Sequence, residues 1–138
     1  MRKTSALIAV GITCARVGTT GFFIEPTVFS DVNDTMQIAR EEIFGPVLSV
    51  IPFKDEEDAV FKGNDTSYGL AAAVWTRDFG RARKVARALK AGRVWINTYG
   101  ETDPAAPAGG YKQSGLGREF GAESIDAYTQ TKAVLARL

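Results

Sequence analysis

Short apolar runs alternate along the chain with segments in which apolar and polar residues recur at helical spacing. The run Val47–Ile51 is nearly all apolar and rich in β-branched residues, which is typical of a strand buried on both faces. Ala71–Trp75 and Arg93–Ile96 predict two further strands. Because the connections between these runs are long enough for crossovers, the pattern predicts an α/β fold with a mostly parallel sheet flanked by helices.

Three segments between the apolar runs predict helices. Residues Asp34–Glu41 predict a short helix that must end before Gly45–Pro46. Residues Asp55–Asn64 begin with acidic side chains, which the helix dipole favours at that end. Asp78 is the predicted N-cap of the third helix, and Gly92 its predicted C-terminal cap. The apolar stripe of this third helix consists of Phe79, Ala82, Val85, Ala86 and Leu89.

The remaining segments are less regular. The run Ala6–Val10 predicts either a strand or a helix fragment, and Phe22–Ile24 an edge strand at best because Pro26 follows. Residues Asn97–Gly117 form a long loop of the kind that is usually functional or disordered. A final helix is predicted near Gly121–Tyr128, followed by a terminal strand at Ala133–Ala136.

Composition narrows the function classes. The chain has 138 residues, enough for one ordinary domain, and its 17 Lys and Arg against 16 Asp and Glu leave a formal charge of +1. A net charge this small does not attract the chain to nucleic acid or to a membrane surface. No stretch approaches the roughly 18 apolar residues of a membrane span. We therefore expect neither nucleic acid nor membrane as a partner.

The absence of histidine and the single cysteine exclude several kinds of site. Without histidine, the chain can assemble no Ser/His/Asp or Cys/His catalytic set and no zinc site that uses imidazole. Cys14 allows no internal disulfide, which fits a reducing, cytoplasmic location. With no activating group evident beside it, a quiet buried thiol is a simpler interpretation of Cys14 than a nucleophile.

Seven of the seventeen basic residues lie between positions 77 and 93, and Asp78 is the only acidic residue in that segment. The cluster could form a phosphate-binding face. The alternative, which we favour, is a solvated helix face whose cations lie near the negative end of the dipole. No aromatic residues alternate with these charges, as stacking on single-stranded nucleic acid would require.

The glycine loop, Gly109–Gly117, invites a nucleotide interpretation, but the spacing of its glycines fits neither of two nucleotide-binding motifs. After Gly115 it continues with Leu116–Gly117, where a P-loop needs Lys and then Ser or Thr. The pattern Gly115-x-Gly117-x-x-x-Gly121 is one residue too long for the dinucleotide fingerprint, and a loop precedes this pattern where a strand is required. Left-handed turns or close backbone approach are the physical alternatives.

Acidic residues at two places in the chain are candidates for chemistry. Glu41 and Glu42 lie together at the unfavourable end of a short predicted helix, so at least one could be placed for the hydroxyls of a ligand, with Phe44 presenting a ring face. Glu119 follows the glycine loop and could transfer a proton in a cleft. Solvated carboxylates, a core phenylalanine and a surface ion pair between Arg118 and Glu119 are the alternatives.

Four segments together resemble the C-terminal part of the NAD(P)-dependent aldehyde dehydrogenase family. They are Gly21–Phe29, Glu41–Val47, Asn64–Ala72 and Gly109–Glu119, in the family's order and spacing. The stretch Tyr99–Pro104 is similar to bacterial members near the betaine aldehyde dehydrogenase branch. The resemblance implies that residues 1–138 form part of the catalytic domain, with residues 131–138 as a strand that helps join subunits into a homo-oligomer.

The resemblance also implies roles for single residues. Glu42 matches a carboxylate that hydrogen-bonds the nicotinamide ribose of NAD or NADP, and Phe44 an aromatic residue packed against that end of the cofactor. Glu119 matches a carboxylate that some members use in a proton relay. In the betaine-type branch, the backbone carbonyls at the positions of Lys112 and Gly115 bind a potassium ion, which suits a hard cation.

The chain also departs from the family pattern. Ala108 stands where many members have an aromatic residue lining the aldehyde tunnel, so we expect a wider pocket or a gap. Cys14 does not occupy the nucleophile's position. The nucleophilic cysteine, the general-base glutamate and the Rossmann domain of relatives precede the matched part. The isolated chain is therefore expected to be inactive, either as an enzyme piece that needs the missing part or as a non-catalytic association module.

Overall fold

The structure is a computed structural model that describes residues 15–138 and the strand Ile8–Ala9. The chain divides into two compact units, Met1–Lys62 and Gly63–Leu138, which are described separately below. Of the two interpretations of Ala6–Val10, the strand is confirmed for Ile8–Ala9. Cys14 lies outside the described residues.

A three-stranded sheet organises the first unit. Its strands are β1 (Ile8–Ala9), β2 (Thr27–Ser30) and β3 (Val47–Ser49), in that spatial order. Strand β1 pairs with β2 antiparallel, and β2 pairs with β3 in parallel, with Thr27 opposite Val47. The strand β2 was not predicted, although its Thr-Val-Phe run has the β-branched and aromatic character that strands prefer.

Two strand predictions in this unit are wrong in part. Strand β3 is shorter than predicted, and the prediction that it is buried on both faces is wrong, because Leu48 and Val50 are 58% and 45% exposed. A strand is buried on both faces only where layers cover both of them, and the described residues do not cover these side chains. Residues Phe22–Ile24 form no ladder; Ile24 makes a single antiparallel bridge with Arg16.

The helices of the first unit lie close to their predicted positions. Helix α1 is short, Gln37–Arg40, and α2 spans Glu56–Asn64. The side chain of Asp55 accepts a hydrogen bond from the backbone N–H of Asp58 at 2.9 Å, which satisfies a free donor at the start of α2. Within α2, Asp58 and Lys62 form an ion pair at 3.2 Å.

The second unit contains the predicted strand–helix–strand motif. Strands β5 (Ala71–Val74) and β6 (Arg93–Ile96) are parallel, with Ala71 opposite Arg93, and α3 (Phe79–Ala88) connects them. Strand β4 (Tyr68–Gly69) and strand β7 (Tyr111–Lys112) form a separate antiparallel pair. The parallel pairs confirm the predicted α/β fold, although they belong to separate small sheets.

Helix α3 confirms one predicted cap and contradicts the other. The side chain of Asp78 accepts a hydrogen bond from the backbone N–H of Arg81 at 3.0 Å. Ala82, in the predicted apolar stripe, is fully buried, but Phe79 is 66% exposed. The helix ends at Ala88 with Leu89 as its C-cap, so the prediction of Gly92 as C-terminal cap is wrong. Gly92 instead lies against Gly109, where a β-carbon would come within 1.7 Å of the Gly109 carbonyl oxygen.

The C-terminal segment forms a 3₁₀-helix at Ala122–Tyr128 and then runs on without regular structure. The strand predicted at Ala133–Ala136 is not formed in this single chain. A strand needs a neighbour to complete its hydrogen bonds, and no described residue pairs with this segment. None of the described helices has the length and apolar character needed to cross a membrane.

Candidate functional site

The segment that carries Glu42 and Phe44 is tied to the sheet of the first unit through Thr27. The Thr27 backbone N–H donates to the carbonyl of Pro46 at 2.9 Å, and its hydroxyl donates to the carbonyl of Glu25 at 3.0 Å. Thr27 is only 2% exposed. The turn at Gly45–Pro46 therefore holds a fixed position beside the start of β3.

Glu41 and Glu42 have different surroundings although they are adjacent. Glu41 follows the last residue of α1, and its carboxylate accepts a hydrogen bond from the side-chain amide of Gln37 at 2.8 Å. Glu42 is exposed, and no described residue donates a hydrogen bond to its carboxylate. Of the two candidate carboxylates, Glu42 is thus the one that is free to accept hydrogen bonds from a ligand.

Phe44 is 98% exposed, which excludes the alternative of a core phenylalanine among the described residues. It lies two positions beyond Glu42 and immediately before the anchored Gly45–Pro46 turn. An exposed ring on a fixed turn can pack against a planar ligand, since an aromatic face favours stacked contacts. Glu42 and Phe44 together therefore offer a charged acceptor and a ring on one short segment.

In the second unit, Ala108 and Glu119 lie opposite each other. The N–H of each residue donates to the carbonyl of the other at 2.7 Å, which makes an isolated antiparallel bridge. Both residues line a cleft of about 870 Å³ whose apolar members include Leu70, Leu116 and Tyr128. No described residue donates a hydrogen bond to the Glu119 carboxylate.

The surface ion pair considered between Arg118 and Glu119 is not formed. The Nη1 of Arg118 instead donates to the carbonyl oxygens of Gly110 at 3.1 Å and Gly117 at 2.7 Å. The Arg118 side chain thus binds backbone carbonyls and not its neighbour Glu119.

The glycine loop uses its glycines for geometry, as the failed nucleotide motifs indicated. Gly115 and Gly117 have φ values of 111° and 87°, which L-residues with side chains rarely adopt. Gly109 and Gly110 lie against backbone, with Gly110 buried. Both alternatives from the sequence, left-handed turns and close backbone approach, are therefore present.

Of the two predicted potassium ligands, Lys112 is the last residue of β7, and Gly115 follows it by three positions. Lys112 has a positive φ of 53°, and its ammonium group donates to the carbonyls of Asn64 at 2.8 Å and Thr66 at 3.1 Å. These two carbonyls are not the predicted ligands, which are the backbone carbonyls of Lys112 and Gly115 themselves. Among the described residues, no three or more acidic, cysteine or histidine side chains are placed together so that they could hold a metal ion. These contacts do not point to a potassium site, and the potassium prediction stays untested.

The predicted site residues fall into both units. Glu42 and Phe44 belong to the first, while Ala108, Lys112, Gly115 and Glu119 belong to the second. The sequence did not predict the hydrogen bonds of the Lys112 ammonium group to the carbonyls of Asn64 and Thr66. It also did not predict the buried Thr27, whose N–H binds the carbonyl of Pro46. A threonine directly after a proline, at the start of a β-branched run, is the signal that could have identified Thr27.

The chain is similar to known aldehyde dehydrogenases. The family model described as the aldehyde dehydrogenase family matches residues 1–134. An aldehyde dehydrogenase of Emericella nidulans is 53% identical over 137 residues, which cover 99% of this chain and 27% of that protein. A betaine aldehyde dehydrogenase of Brucella melitensis is 54% identical over 118 residues, covering 86% of this chain and 24% of that protein.

Solved structures of aldehyde dehydrogenases have the same fold over the matched part. An indole-3-acetaldehyde dehydrogenase in complex with NAD⁺ superposes with a TM-score of 0.81 at 52% identity, covering 86% of this chain and 24% of that one. The aldehyde dehydrogenase KauB from Pseudomonas aeruginosa superposes with a TM-score of 0.80 at 56% identity, covering 83% and 23%. The chain spans about a quarter of the length of the relatives it matches. It belongs to the aldehyde dehydrogenase family.

Proposed function

We propose that this chain supplies one wall of an active site that oxidises an aldehyde to a carboxylic acid with NAD or NADP. The observation that carries the proposal is the pairing of a free Glu42 carboxylate with an exposed Phe44 ring on an anchored turn. The described side chains fit a nicotinamide nucleotide, because its ribose carries hydroxyl donors and its ring a planar face. NAD⁺ is present in the related indole-3-acetaldehyde dehydrogenase structure, which supports the choice of cofactor.

In this proposal, the two side chains position the cofactor. The Glu42 carboxylate accepts hydrogen bonds from the ribose hydroxyls, and the Phe44 ring limits the orientations open to the nicotinamide. Orientation of this kind lowers the barrier because less rotational freedom is lost in the transition state. When bound, the nicotinamide supplies the hydride acceptor.

The cleft of the second unit serves the aldehyde side of the reaction. Its apolar members accept the carbon chain of an aldehyde, and Ala108 leaves room that a larger side chain would fill. The Glu119 carboxylate, free of protein donors in the described chain, holds or passes on a proton as the acid is formed. This role follows the proton relay that the sequence resemblance implied.

The reaction also needs a thiolate that attacks the aldehyde carbon and a base that activates water. A nucleophilic cysteine contributes orders of magnitude to the rate, and a carboxylate such as Glu119 does not replace it. Cys14 lacks the sequence context of that nucleophile. We therefore propose that the 138 residues turn over aldehyde only together with the part of the protein that relatives carry before the matched segment.

A reconstitution experiment tests this function. The pure chain is incubated with a series of aldehydes and NAD or NADP, alone and with the N-terminal part of a relative, and NADH absorbance is followed. We expect no turnover by the chain alone and measurable turnover by the mixture. Turnover by the chain alone would contradict the proposal that it needs the N-terminal part. An assembled mixture without turnover would contradict the proposal that the chain contributes to catalysis.

The exposed C-terminal segment favours a second function, self-association. Val134 and Leu135 are 82% and 96% exposed, on a segment with no ladder partner in the described chain. We propose that residues 131–138 add as a strand to another copy, because an unpaired apolar segment gains hydrogen bonds and burial there. Sedimentation of the chain with and without these residues tests it: deletion is expected to reduce the molecular mass of the particle.

A further inference from the structure

The side chain of Arg118 connects the two ends of the glycine loop. Its Nη1 donates to the carbonyl of Gly117, at the end of the loop, and to that of Gly110, at its start. The guanidinium carbon also lies 5.4 Å from the centre of the Tyr111 ring. The Arg118 guanidinium thus contacts Gly110 and Tyr111 near the start of the loop and Gly117 at its end.

The glycines of the loop make room for this contact. A β-carbon at Gly109 would lie 2.7 Å from Nη1 and 2.8 Å from Cδ of Arg118. It would also lie 2.4 Å from the carbonyl oxygen of Gly117. Because real side chains do not approach so closely, only glycine at position 109 allows the arginine to lie across the loop.

The contact depends on the shape of the guanidinium as well as on its charge. Arginine presents several donors in one plane, and its flat face stacks on aromatic rings, whereas lysine carries a compact point charge on a flexible stem. Hydrogen bonds from a charged donor are stronger than those between neutral groups. Arg118 is half-buried and makes no ion pair with a described residue, so these carbonyls and the Tyr111 ring are its partners.

The position of the contact relates it to the candidate site. Gly117 and Glu119 flank Arg118 directly, and Gly110 follows Ala108 by two residues. The reciprocal 2.7 Å hydrogen bonds of Ala108 and Glu119 therefore lie directly beside the contact that joins Gly110 to Gly117. Ala108 and Glu119 both line the cleft.

We propose that Arg118 is a positioning residue that closes the glycine loop and thereby holds Glu119 in the cleft. The catalytic part of this inference rests on the proposed function, because it needs Glu119 to act on an aldehyde. The structural part, closure of the loop by the guanidinium, does not depend on any activity.

Hydrogen exchange of the 138-residue chain tests the closure. In Arg118→Lys and Arg118→Ala, the amides of Ala108 and Glu119 are expected to exchange at least about tenfold faster than in the unmodified chain, because the charged hydrogen bonds are lost. The Asn97 amide, which donates to Val74 at 2.9 Å at the end of the β5–β6 pair, should be unchanged. Arg83→Lys, an exposed arginine on α3, is the matched control.

Two outcomes of this experiment would overturn the closure. In one, exchange at Ala108 and Glu119 stays as it was in both variants. In the other, exchange at the Asn97 amide speeds up in both variants by as much as exchange at the Ala108 and Glu119 amides. That result would make Arg118 a general stabiliser of the second unit.

Kinetics of the reconstituted enzyme test the catalytic part. Arg118→Ala is expected to lower kcat while leaving the KM for NAD unchanged, and millimolar guanidinium ion, but not ammonium ion, is expected to restore part of kcat. A loss confined to KM, or equal rescue by ammonium, would overturn the positioning role. If an unmodified mixture that has demonstrably assembled shows no turnover, the proposed function fails, while hydrogen exchange still decides whether Arg118 closes the loop.

Discussion

Ala108 and Glu119 exchange two backbone hydrogen bonds of 2.7 Å, although eleven positions separate them in the chain. The resemblance had assigned these residues to different tasks, one to the aldehyde pocket and one to a proton relay. Their bridge places both at one cleft of about 870 Å³. A change in the backbone at either residue is therefore expected to affect the other.

Replacing Ala108 tests whether this cleft receives the aldehyde. In the reconstituted enzyme, Ala108→Phe should fill part of the cleft, so kcat/KM for a long-chain aldehyde should fall by about tenfold or more, the scale on which pocket volume discriminates substrates. For a two-carbon aldehyde it should change little. Ala105→Phe, exposed and outside the cleft, is the control. Equal losses for both aldehydes would argue against a substrate cleft.

The two adjacent glutamates provide a matched test of cofactor contact. Glu42→Gln removes a charged acceptor that has no described protein donor, and kcat/KM for the nicotinamide cofactor should fall on the order of tenfold in the reconstituted enzyme. Glu41→Gln should have a smaller effect, because the Gln37 amide already engages Glu41. Steady-state kinetics at varied NAD measure both, and a larger loss in Glu41→Gln would contradict the assignment.

The N-cap of α3 gives a stability prediction that needs no activity. Asp78→Ala removes the acceptor for the Arg81 N–H and should lower the free energy of unfolding by about 1 kcal/mol. Asp78→Asn keeps a capping oxygen and should lie close to the unmodified chain. Urea unfolding followed by circular dichroism measures both variants. An Asn variant as unstable as the Ala variant would show that the cap is not what Asp78 contributes.

Gly92 is predicted to tolerate no side chain. A β-carbon there would meet the carbonyl oxygen of Gly109 at 1.7 Å, so Gly92→Ala should shift backbone and cost about 1–3 kcal/mol or more. Gly45→Ala is the control, because nothing lies within 4 Å of a β-carbon at that position. Thermal unfolding compares the two, and equal melting temperatures would contradict the close approach of Gly92 to Gly109.

The pH dependence of helix α2 follows from Asp58. The backbone N–H of Lys54 donates to its carboxylate at 2.9 Å, and this contact, with Lys62 nearby, lowers the pKa of Asp58 below 3.8. A carboxyl whose pKa is lower in the folded state stabilises that state above its unfolded pKa, and the stabilisation is lost as the pH falls through the folded value. We expect the start of α2 to loosen only in acid.

Carbon NMR titration measures this directly. The midpoint for Asp58 should lie below 3.8 and should rise in Lys62→Met without reaching that value, since the Lys54 N–H is the larger cause. A midpoint at or above 3.8 in the unmodified chain would contradict the interpretation.

Local signals in the sequence predicted several elements well. The runs at Ala71–Trp75 and Arg93–Ile96 became the parallel strands β5 and β6, and Asp78 became the N-cap of the helix between them. Each of these features depends on residues close together in the chain. A carboxylate before a helical stripe, for example, meets the free N–H groups of its own first turn whatever the rest of the molecule does.

What the sequence alone determined is therefore the family, the three helices and the strands β3, β5 and β6, while the roles of the site residues stay predictions from the resemblance. The tertiary structure decided their partners: Arg118 binds glycine carbonyls and not Glu119, Gly92 lies against Gly109 and does not cap α3, and Leu48 stays exposed. The physical reason is that burial, close approach and hydrogen-bond partners depend on segments distant in the chain. Residues 131–138 show the same limit, because the hydrogen bonds of a strand belong to a pair and not to one segment.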